Sequence, residues 1–524
     1  MSAPSRSTIW TQFQSELQRA LPDFLKARRW FGGKTRNIRS VEIADAIALP
    51  HPAASAAILF IQVNYSEGPG EIYTVPLIEE AVAAPERLVS DNTRILIRGA
   101  DGAEHIFFDA LASQEILQIL FDAIRESRRL QGHAGELVGV PTGALEPLRT
   151  AAQGKLQPSL MKAEQSNTSA LYGKAFVLKL FRHLEAGISP DFEIGRFLSE
   201  KAGFPNIPPM AGALEYRKSH GEPAAIALLQ GFVANQGDAW EHTLKALSAY
   251  YDRVASIAAT SSPERSGTEL LGNYAAEAAL LGQRTAELHA ALASDRGDPD
   301  FAPEPTSPGY QRAVSDSMAP AVDEILEMLR QRFNDLPEHA RPVADRVLSA
   351  KAALKDRFRS FADRKLTAPR TRIHGDFHLG QVLFTGGDFI FIDFEGEPAR
   401  SLAERREKHS PLRDVAGMVR SFHYAVYGAL FKRTEAGGAK AATLVTFANA
   451  WYRAVCDEYL RAYYAYASRA DCLPVDPDER QFLLNFWLLG KAVYELKYEL
   501  NHRLDWVAIP LEGIDALVGR SSVS

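Results

Sequence analysis

The stretch that most constrains the fold of this chain runs from Ile373 to Glu395. Within it two short apolar runs, Val382–Phe384 and Phe389–Ile392, are joined by a turn containing Gly386, Gly387 and Asp388, a pattern that spells a β-hairpin. Asp376 and Gln381 precede the first strand and Asp393 follows the second, so the hairpin gathers three oxygen-bearing side chains. Two carboxylates and an amide suit a Mg2+ ion that keeps part of its water shell and is completed by substrate phosphates. Phosphoryl transfer asks for such a set, because the protein's task is to position the nucleophile and offset charge on the transferring group. Asp376, ahead of the metal ligands Gln381 and Asp393, is the expected catalytic base. His374 is expected to brace the loop, and His378 to contact substrate or pack. Their spacing does not make a zinc site, since Gly375 and not Glu follows the first His, in what reads as a loop.

A phosphoryl-transfer site needs a nucleotide lobe, and the upstream sequence supplies a candidate. Lys179 lies inside the apolar run Phe176–Phe181, where a charge must be paired. Glu193 follows on a predicted helix, Asp191–Ala202, and is the expected partner that holds Lys179 against the ATP phosphates. Glu164, Gln165, Ser166, Asn167, Thr168 and Ser169 occupy the place of a phosphate-binding loop without its glycines, so side-chain hydroxyls, amides and backbone N–H groups would meet the phosphates. No P-loop motif occurs. The Leu229–Val233 segment, with Gln230, Phe232 and Val233, is the expected adenine-accepting hinge.

A chain of 524 residues with 46% hydrophobic content is long enough for two or three domains. Its 59 Lys and Arg against 65 Asp and Glu leave a net charge of −6, the wrong sign for a phosphate-tracking nucleic-acid binder. Two cysteines, Cys456 and Cys472, make neither a disulfide framework nor a four-cysteine zinc site. The N-terminus has no signal-peptide pattern and no apolar run is long enough to span a membrane, so a cytoplasmic location is expected.

Periodicity predicts a helix over 8–30, strands at Val41–Ala48, Ala57–Tyr65, Ile72–Ile78 and Thr93–Gly99, and a helix at Ala110–Arg125. Arg28, Arg29 and Lys34 read as a solvated basic face. A second α+β unit has strands at Leu156–Lys162, Ser169–Tyr172, Ala175–Phe181 and Ala224–Leu229. From Gln236 onward helix dominates, and the Pro-rich stretch Asp298–Pro308 reads as a surface loop joining two helices of one domain.

The His374-Gly375-Asp376 loop, the amide five residues on and the Ile392-Asp393-Phe394 end of the hairpin resemble aminoglycoside phosphotransferases, which often have Asn where this chain has Gln381. Longer segments are similar to bacterial maltokinases, including those fused to trehalose synthase. They are Arg28–Phe31, Glu164–Ser169, Glu395–Pro398, Leu402–Arg406, Ser410–Met418, Lys491–Glu495 and Asn501–Trp506. The resemblance implies an α+β, protein-kinase-like bilobal fold with an N-terminal cap over 1–150, an ATP lobe over 151–235 and a mostly helical, sugar-binding lobe over 236–524. It further implies ATP and Mg2+, maltose 1-phosphate as product feeding α-glucan synthesis, and trehalose synthase as a partner to test.

Apart from that resemblance, Arg413, Asp414, Tyr494, Glu495, Tyr498, Glu499, Arg503 and Trp506 suit a sugar, since charged groups bond hydroxyls and an aromatic plane covers the apolar sugar face. Tyr494 and Tyr498 at i, i+4 equally suit a packed core, and Glu495 and Glu499 a solvated face. Two other functions remain open: a kinase for another sugar such as glucosamine, and a non-catalytic partner of a sugar enzyme such as trehalose synthase.

Overall fold

The computed structural model describes residues 10, 12–80, 94–99, 103–152, 154, 156–161, 166–257, 270–434, 441–468 and 470–519. Residues 8, 9 and 11 of the first predicted helix, together with Thr93, Lys162, Glu164 and Gln165, lie outside the described residues. The chain forms two compact units, residues 1–234 and 235–524.

The first unit opens with α1 (Gln14–Lys26), whose Leu17, Leu21, Phe24 and Leu25 recur at helical spacing and are buried. They pack on a sheet made of β1 (Ile38–Leu49), β2 (Ala56–Tyr65), β3 (Glu71–Glu80), β4 (Arg94–Arg98) and β5 (Glu104–Asp109), ordered β1-β2-β3-β5-β4. Next comes α2 (Gln114–Arg125), started by Ser113, whose hydroxyl accepts the Ile116 N–H.

A second, seven-stranded sheet is ordered β6-β7-β12-β13-β10-β9-β8. Its strands are β6 (Arg129–Gln131), β7 (Gly135–Pro141), β8 (Pro158–Leu160), β9 (Asn167–Tyr172), β10 (Phe176–Phe181), β12 (Met210–Lys218) and β13 (Ala224–Gly231), with α3 (Leu145–Ala151) between β7 and β8. The short β11 (His183–Leu184) leaves β10 and pairs with β3 of the first sheet. α2 contributes Ile116, Leu117, Leu120, Phe121 and Ile124 to one core that takes Ile47, Ile58 and Phe60 from the first sheet and Leu178, Leu214 and Ile226 from the second. α4 (Pro190–Glu200) begins at Ser189, which accepts the Phe192 N–H, with Pro190 in its first turn.

The predicted strands of this unit are found within a few residues of their expected ends, but β5, β6, β7, β11 and β12 were not anticipated. In β12, Met210–Leu214 is built of Met, Ala, Gly and Leu and lacks the β-branched residues that mark a strand in sequence. Arg29 and Lys34 of the basic face are exposed as expected, but Arg28 is half-buried. Arg28 packs its guanidinium over Phe24 at 3.8 Å, and its Nε and Nη2 are buried.

The second unit is helical: α5 (Ala239–Ile257), α6 (Tyr274–Leu292), α7 (Pro308–Gln331), α8 (Arg341–Ser349), α9 (Lys351–Asp363), α10 (Leu402–Arg405), α11 (Leu412–Thr434), α12 (Ala441–Ala467), α13 (Pro477–His502) and α14 (Ala508–Gly519). α12 lies along α6, and α13 packs against α7, α11 and α14. The Asp298–Pro308 stretch does connect two helices of this unit, pairing β14 (Glu304–Pro305) with β15 (Pro369–Arg370). The hairpin is β16 (Val382–Phe384) and β17 (Phe389–Phe391), in the register Val382↔Phe391, Leu383↔Ile390 and Phe384↔Phe389. Cys456 and Cys472 are buried free thiols. Among the described residues no helix is long and apolar enough to cross a membrane.

Candidate active site

The loop Ile373–Gln381 owes its shape to a buried acid on α11. Asp414 is 2% exposed, and its carboxylate accepts the backbone N–H of His374 at 2.7 Å and of Gly375 at 3.0 Å, while His289 of α6 lies 3.2 Å away. Burial raises the Asp414 carboxyl, but the hydrogen bonds and His289 outweigh it and hold the group below the usual carboxylate range. Asp414 is thus committed to the loop backbone. Gly375 sits at φ +88°, a conformation that favours glycine, and a Cβ at Gly417 would come within 2.5 Å of the Phe377 carbonyl. α11 therefore lies directly against the loop.

His374 sets its ring beside Phe377 and Phe394, and its Nε2 bonds the Ile392 carbonyl at 2.9 Å. The carbonyl is an acceptor only, so this nitrogen carries the proton. The contact ties the loop to the far end of the hairpin. There Asp393 adopts φ +67°, and its Oδ2 accepts the Gln381 amide at 3.1 Å. Backbone strain of about 1–2 kcal/mol at a non-glycine residue persists only where the surroundings enforce it. With the Gln381 N–H spent on Asp393, the amide oxygen and the carboxylate form a pair of hard oxygen donors, which fits Mg2+ better than a softer metal.

Asp376 is 22% exposed, with the ammonium of Lys491 at 3.4 Å from one oxygen and His378 Nε2 at 3.9 Å from the other. The His378 ring is 40% exposed, and its Nδ1 accepts the Gly380 N–H at 3.0 Å. Beside this loop opens a cavity of about 420 Å3 lined by residues of α7, α11, α13 and the Glu397–Arg400 turn. Trp487, Lys491, Tyr494, Arg413 and Glu397 are among its walls. Glu397 is hydrogen-bonded by Arg400 at 2.8 Å and lies 3.6 Å from Arg413. Burial raises its carboxyl, yet Lys491, Arg400 and Arg413 together bring it below the usual range.

The residues expected around a sugar therefore separate. Arg413, Asp414 and Tyr494 line the cavity, and Tyr498 is 44% exposed one turn farther along α13. Glu495, Glu499, Arg503 and Trp506 do not line it. Glu495 pairs with buried Arg420 at 2.7 Å, Glu499 takes Arg503 at 2.7 Å and the Tyr424 hydroxyl at 3.0 Å, and Trp506 stacks on Tyr424 with 6.1 Å between ring centroids. These contacts fasten α13 and the chain after it to α11.

In the first unit, β9 and β10 bring Ser169 directly opposite Lys179. Ser169 is 2% exposed, Asn167 and Thr168 are half-buried, and Ser166 is exposed. The Lys179 ammonium lies 3.6 Å from Asp191, a carboxylate 1% exposed, while Glu193 is half-buried on the same helix. Gln230 pairs with Val177 across the sheet, Phe232 donates its N–H to the Ala175 carbonyl at 2.8 Å, and Phe232 and Val233 are half-buried.

Sequence reasoning passed over Asp191, His289, Glu397, Arg400 and Lys491. For Asp191 a signal existed, an acid in the first turn of the helix carrying Glu193. Lys491 stood in a segment noted for its resemblance, but nothing local ties it to Asp376, 115 positions away.

Comparison with known proteins agrees with this architecture. Residues 24–112 match the maltokinase N-terminal cap domain, and residues 162–396 match the phosphotransferase enzyme family. A glucosamine kinase of Streptacidiphilus jiangxiensis is 25% identical over 446 residues, covering 82% of this chain and 91% of the relative. One from Mycolicibacterium smegmatis is 25% identical over 362 residues, covering 68% and 78%. A solved glucosamine kinase in complex with glucosamine, ADP and inorganic phosphate superposes with a TM-score of 0.63 at 20% identity, over 96% of this chain and 99% of that one. The fold is the kinase-like phosphotransferase fold, in which one segment of this chain matches the maltokinase N-terminal cap domain and another matches the phosphotransferase enzyme family.

Proposed function

We propose that this phosphotransferase moves the γ-phosphoryl group of ATP to the anomeric hydroxyl of maltose, giving maltose 1-phosphate and ADP. Asp376 accepts the hydroxyl proton as the oxygen attacks phosphorus and the bond to the ADP oxygen breaks. Lys491 holds the Asp376 carboxylate in place and offsets charge at the acceptor side. Gln381 and Asp393 would hold Mg2+, which supplies charge neutralisation on the phosphates when bound. Residues 151–235 act as the ATP lobe: Lys179, held by Glu193 with Asp191 beside it, meets the phosphates, Ser166, Asn167, Thr168 and Ser169 contact them, and Gln230 to Val233 receive the adenine.

The observation that carries the acceptor is electrostatic. Among the described residues every carboxylate around the cavity already has a partner: Glu397 has Arg400 and Arg413, Glu324 has Lys497 at 2.6 Å, Asp414 has the loop amides, and Asp376 has Lys491. An amino sugar brings an ammonium that needs an uncommitted acid when desolvated. A neutral sugar needs hydroxyl partners and an aromatic wall, which Arg413, Lys491, Tyr494 and Trp487 supply. The cap-domain match supports maltose as that sugar. Glucosamine remains the rival because the relatives above bear that name.

The test is product identity by NMR with relative rates on maltose, glucose and glucosamine in the presence of ATP and Mg2+. Maltose should be the best acceptor, and removing its second glucose unit should lower rate as well as affinity. Efficient turnover of glucosamine with maltose inert would reject the acceptor and keep the kinase.

A further inference from the structure

Arg182 follows β10 immediately, three residues after Lys179, and is 2% exposed. Its Nη2 bonds Asp109 Oδ2 at 2.6 Å, its Nε bonds the Thr168 hydroxyl at 2.9 Å, and its guanidinium lies over the Trp30 ring at 4.8 Å. Its carbonyl accepts the Thr74 N–H of β3 at 2.8 Å. One buried side chain therefore joins the end of β5, the aromatic segment after α1 and the first strand residues of the Ser166–Ser169 segment.

The charge count around it is uneven. Arg28 also senses Asp109 and Arg182, and its ionisation is pulled down by burial, against Asp109 and with Arg182. Arg28 Nε and Nη2 and Arg182 Nη1 are buried without hydrogen-bond partners. Among the described residues Asp109 is the acid that both guanidiniums sense, so positive charge gathers directly behind Thr168. In a low-dielectric setting such a charge acts strongly over a few ångströms. An anion on the other side of Thr168 would balance that charge.

We propose that Arg182 is a positioning residue for nucleotide phosphates, acting through the Thr168 hydroxyl, with Asp109 as its anchor. The inference rests on the reading of Ser166–Thr168 as the phosphate-contacting segment. Arg182 fixes the rotamer of Thr168 and the entry of β9, and its charge favours phosphate at that entry. Through Asp109, the residues matching the cap domain set the affinity for the nucleotide.

Steady-state kinetics with ATP and acceptor varied separately test this, together with thermal midpoints. Thr168→Val removes only the hydroxyl and should raise the KM for ATP about tenfold, with the acceptor KM unchanged and kcat reduced less. Arg182→Lys should act in the same direction, since Lys keeps the charge but loses the fork that reaches Thr168 and Asp109 together. The double variant Arg182→Lys/Thr168→Val should cost little more than the worse single change, because coupled residues are non-additive. Ser166→Ala and Asn167→Ala provide the control on the underlying reading. If they raise the KM for ATP while Thr168→Val and Arg182→Lys do not, the role of Arg182 is overturned and the phosphate segment stands. If none of the four moves it, both fall. A lowered thermal midpoint with both KM values unchanged would mark Arg182 as structural only and overturn the proposal.

Discussion

At the scale of single residues, the site turns on which charges are committed and which face the reacting atoms. Asp376→Asn should fold with an unchanged thermal midpoint and bind ATP but lose most turnover, because an amide cannot take the hydroxyl proton. Isothermal titration with ATP beside a product assay checks both halves. Lys491→Met should lower kcat and leave the KM for ATP unchanged, with Lys491→Arg partly restoring the rate. Equal loss in both variants would mean that side-chain shape, not charge, matters there. Asp414→Asn places an NH2 where either the His374 or the Gly375 amide donates, leaving one buried donor unmatched. It should cost about 2–4 kcal/mol of stability and take the rate down with it, measurable by denaturant titration. Asp376, Gln381 and Asp393 were readable in sequence because one hairpin holds all three within 18 positions. Lys491 and Glu397 were not, since their meeting with the loop depends on where α13 and the turn after β17 come to rest.

At the scale of elements, α13 shows how a helix divides its labour and why sequence leaves that division open. Trp487, Lys491 and Tyr494 recur at steps of four and three and share the cavity face, whereas Glu495 and Glu499, four and eight residues beyond Lys491, drift round to one side and meet α11. The residue types Tyr, Glu and Arg suit a sugar on either face, and only the position of Arg420 and Tyr424 on α11 decides. Tyr494→Ala should therefore raise the KM for the acceptor with little change in stability, since the ring is 40% exposed. Trp506→Ala should do the reverse: the ring fills the space over Gly428, stacks on Tyr424 and meets Phe431 edge-on, so its loss should cost about 2–4 kcal/mol and spare the acceptor KM. A selective rise in acceptor KM for Trp506→Ala would return that residue to the sugar site. In β10 and α4 the strand Lys was legible, and the helix that carries the expected Glu193 also brings Asp191 to 3.6 Å from Lys179.

At the scale of the whole molecule, two buried histidines of the helical unit make its stability depend on pH. His409 receives the Tyr310 hydroxyl on Nδ1 at 2.7 Å, with Trp487 beside it and Arg413, Arg400 and Arg370 around it; Glu407 lies at 4.0 Å. His423 faces Arg420 at 2.9 Å and packs against Tyr427 and Tyr452. Burial first, and the neighbouring arginines second, push both imidazoles well below their ordinary value, so both are neutral in the fold. The unfolded chain takes up these two protons near pH 6.5 while the folded chain does not, so stability rises with pH across that point and falls below it. Each histidine removes about 1.4 kcal/mol per pH unit below 6.5. Glu397 and Asp414, held below the usual carboxylate range, add their loss only at lower pH, below about 4.5 for Glu and 3.9 for Asp. Thermal midpoints between pH 7.5 and 5 should fall steeply below 6.5 in the native chain. His423→Gln keeps an acceptor for Arg420 but has no proton to gain, and should flatten that fall, as should His409→Gln, whose amide oxygen accepts from Tyr310. The two changes together should remove most of the slope in this range. An unchanged slope in the double variant would mean that the imidazoles are not what makes the unit acid-sensitive.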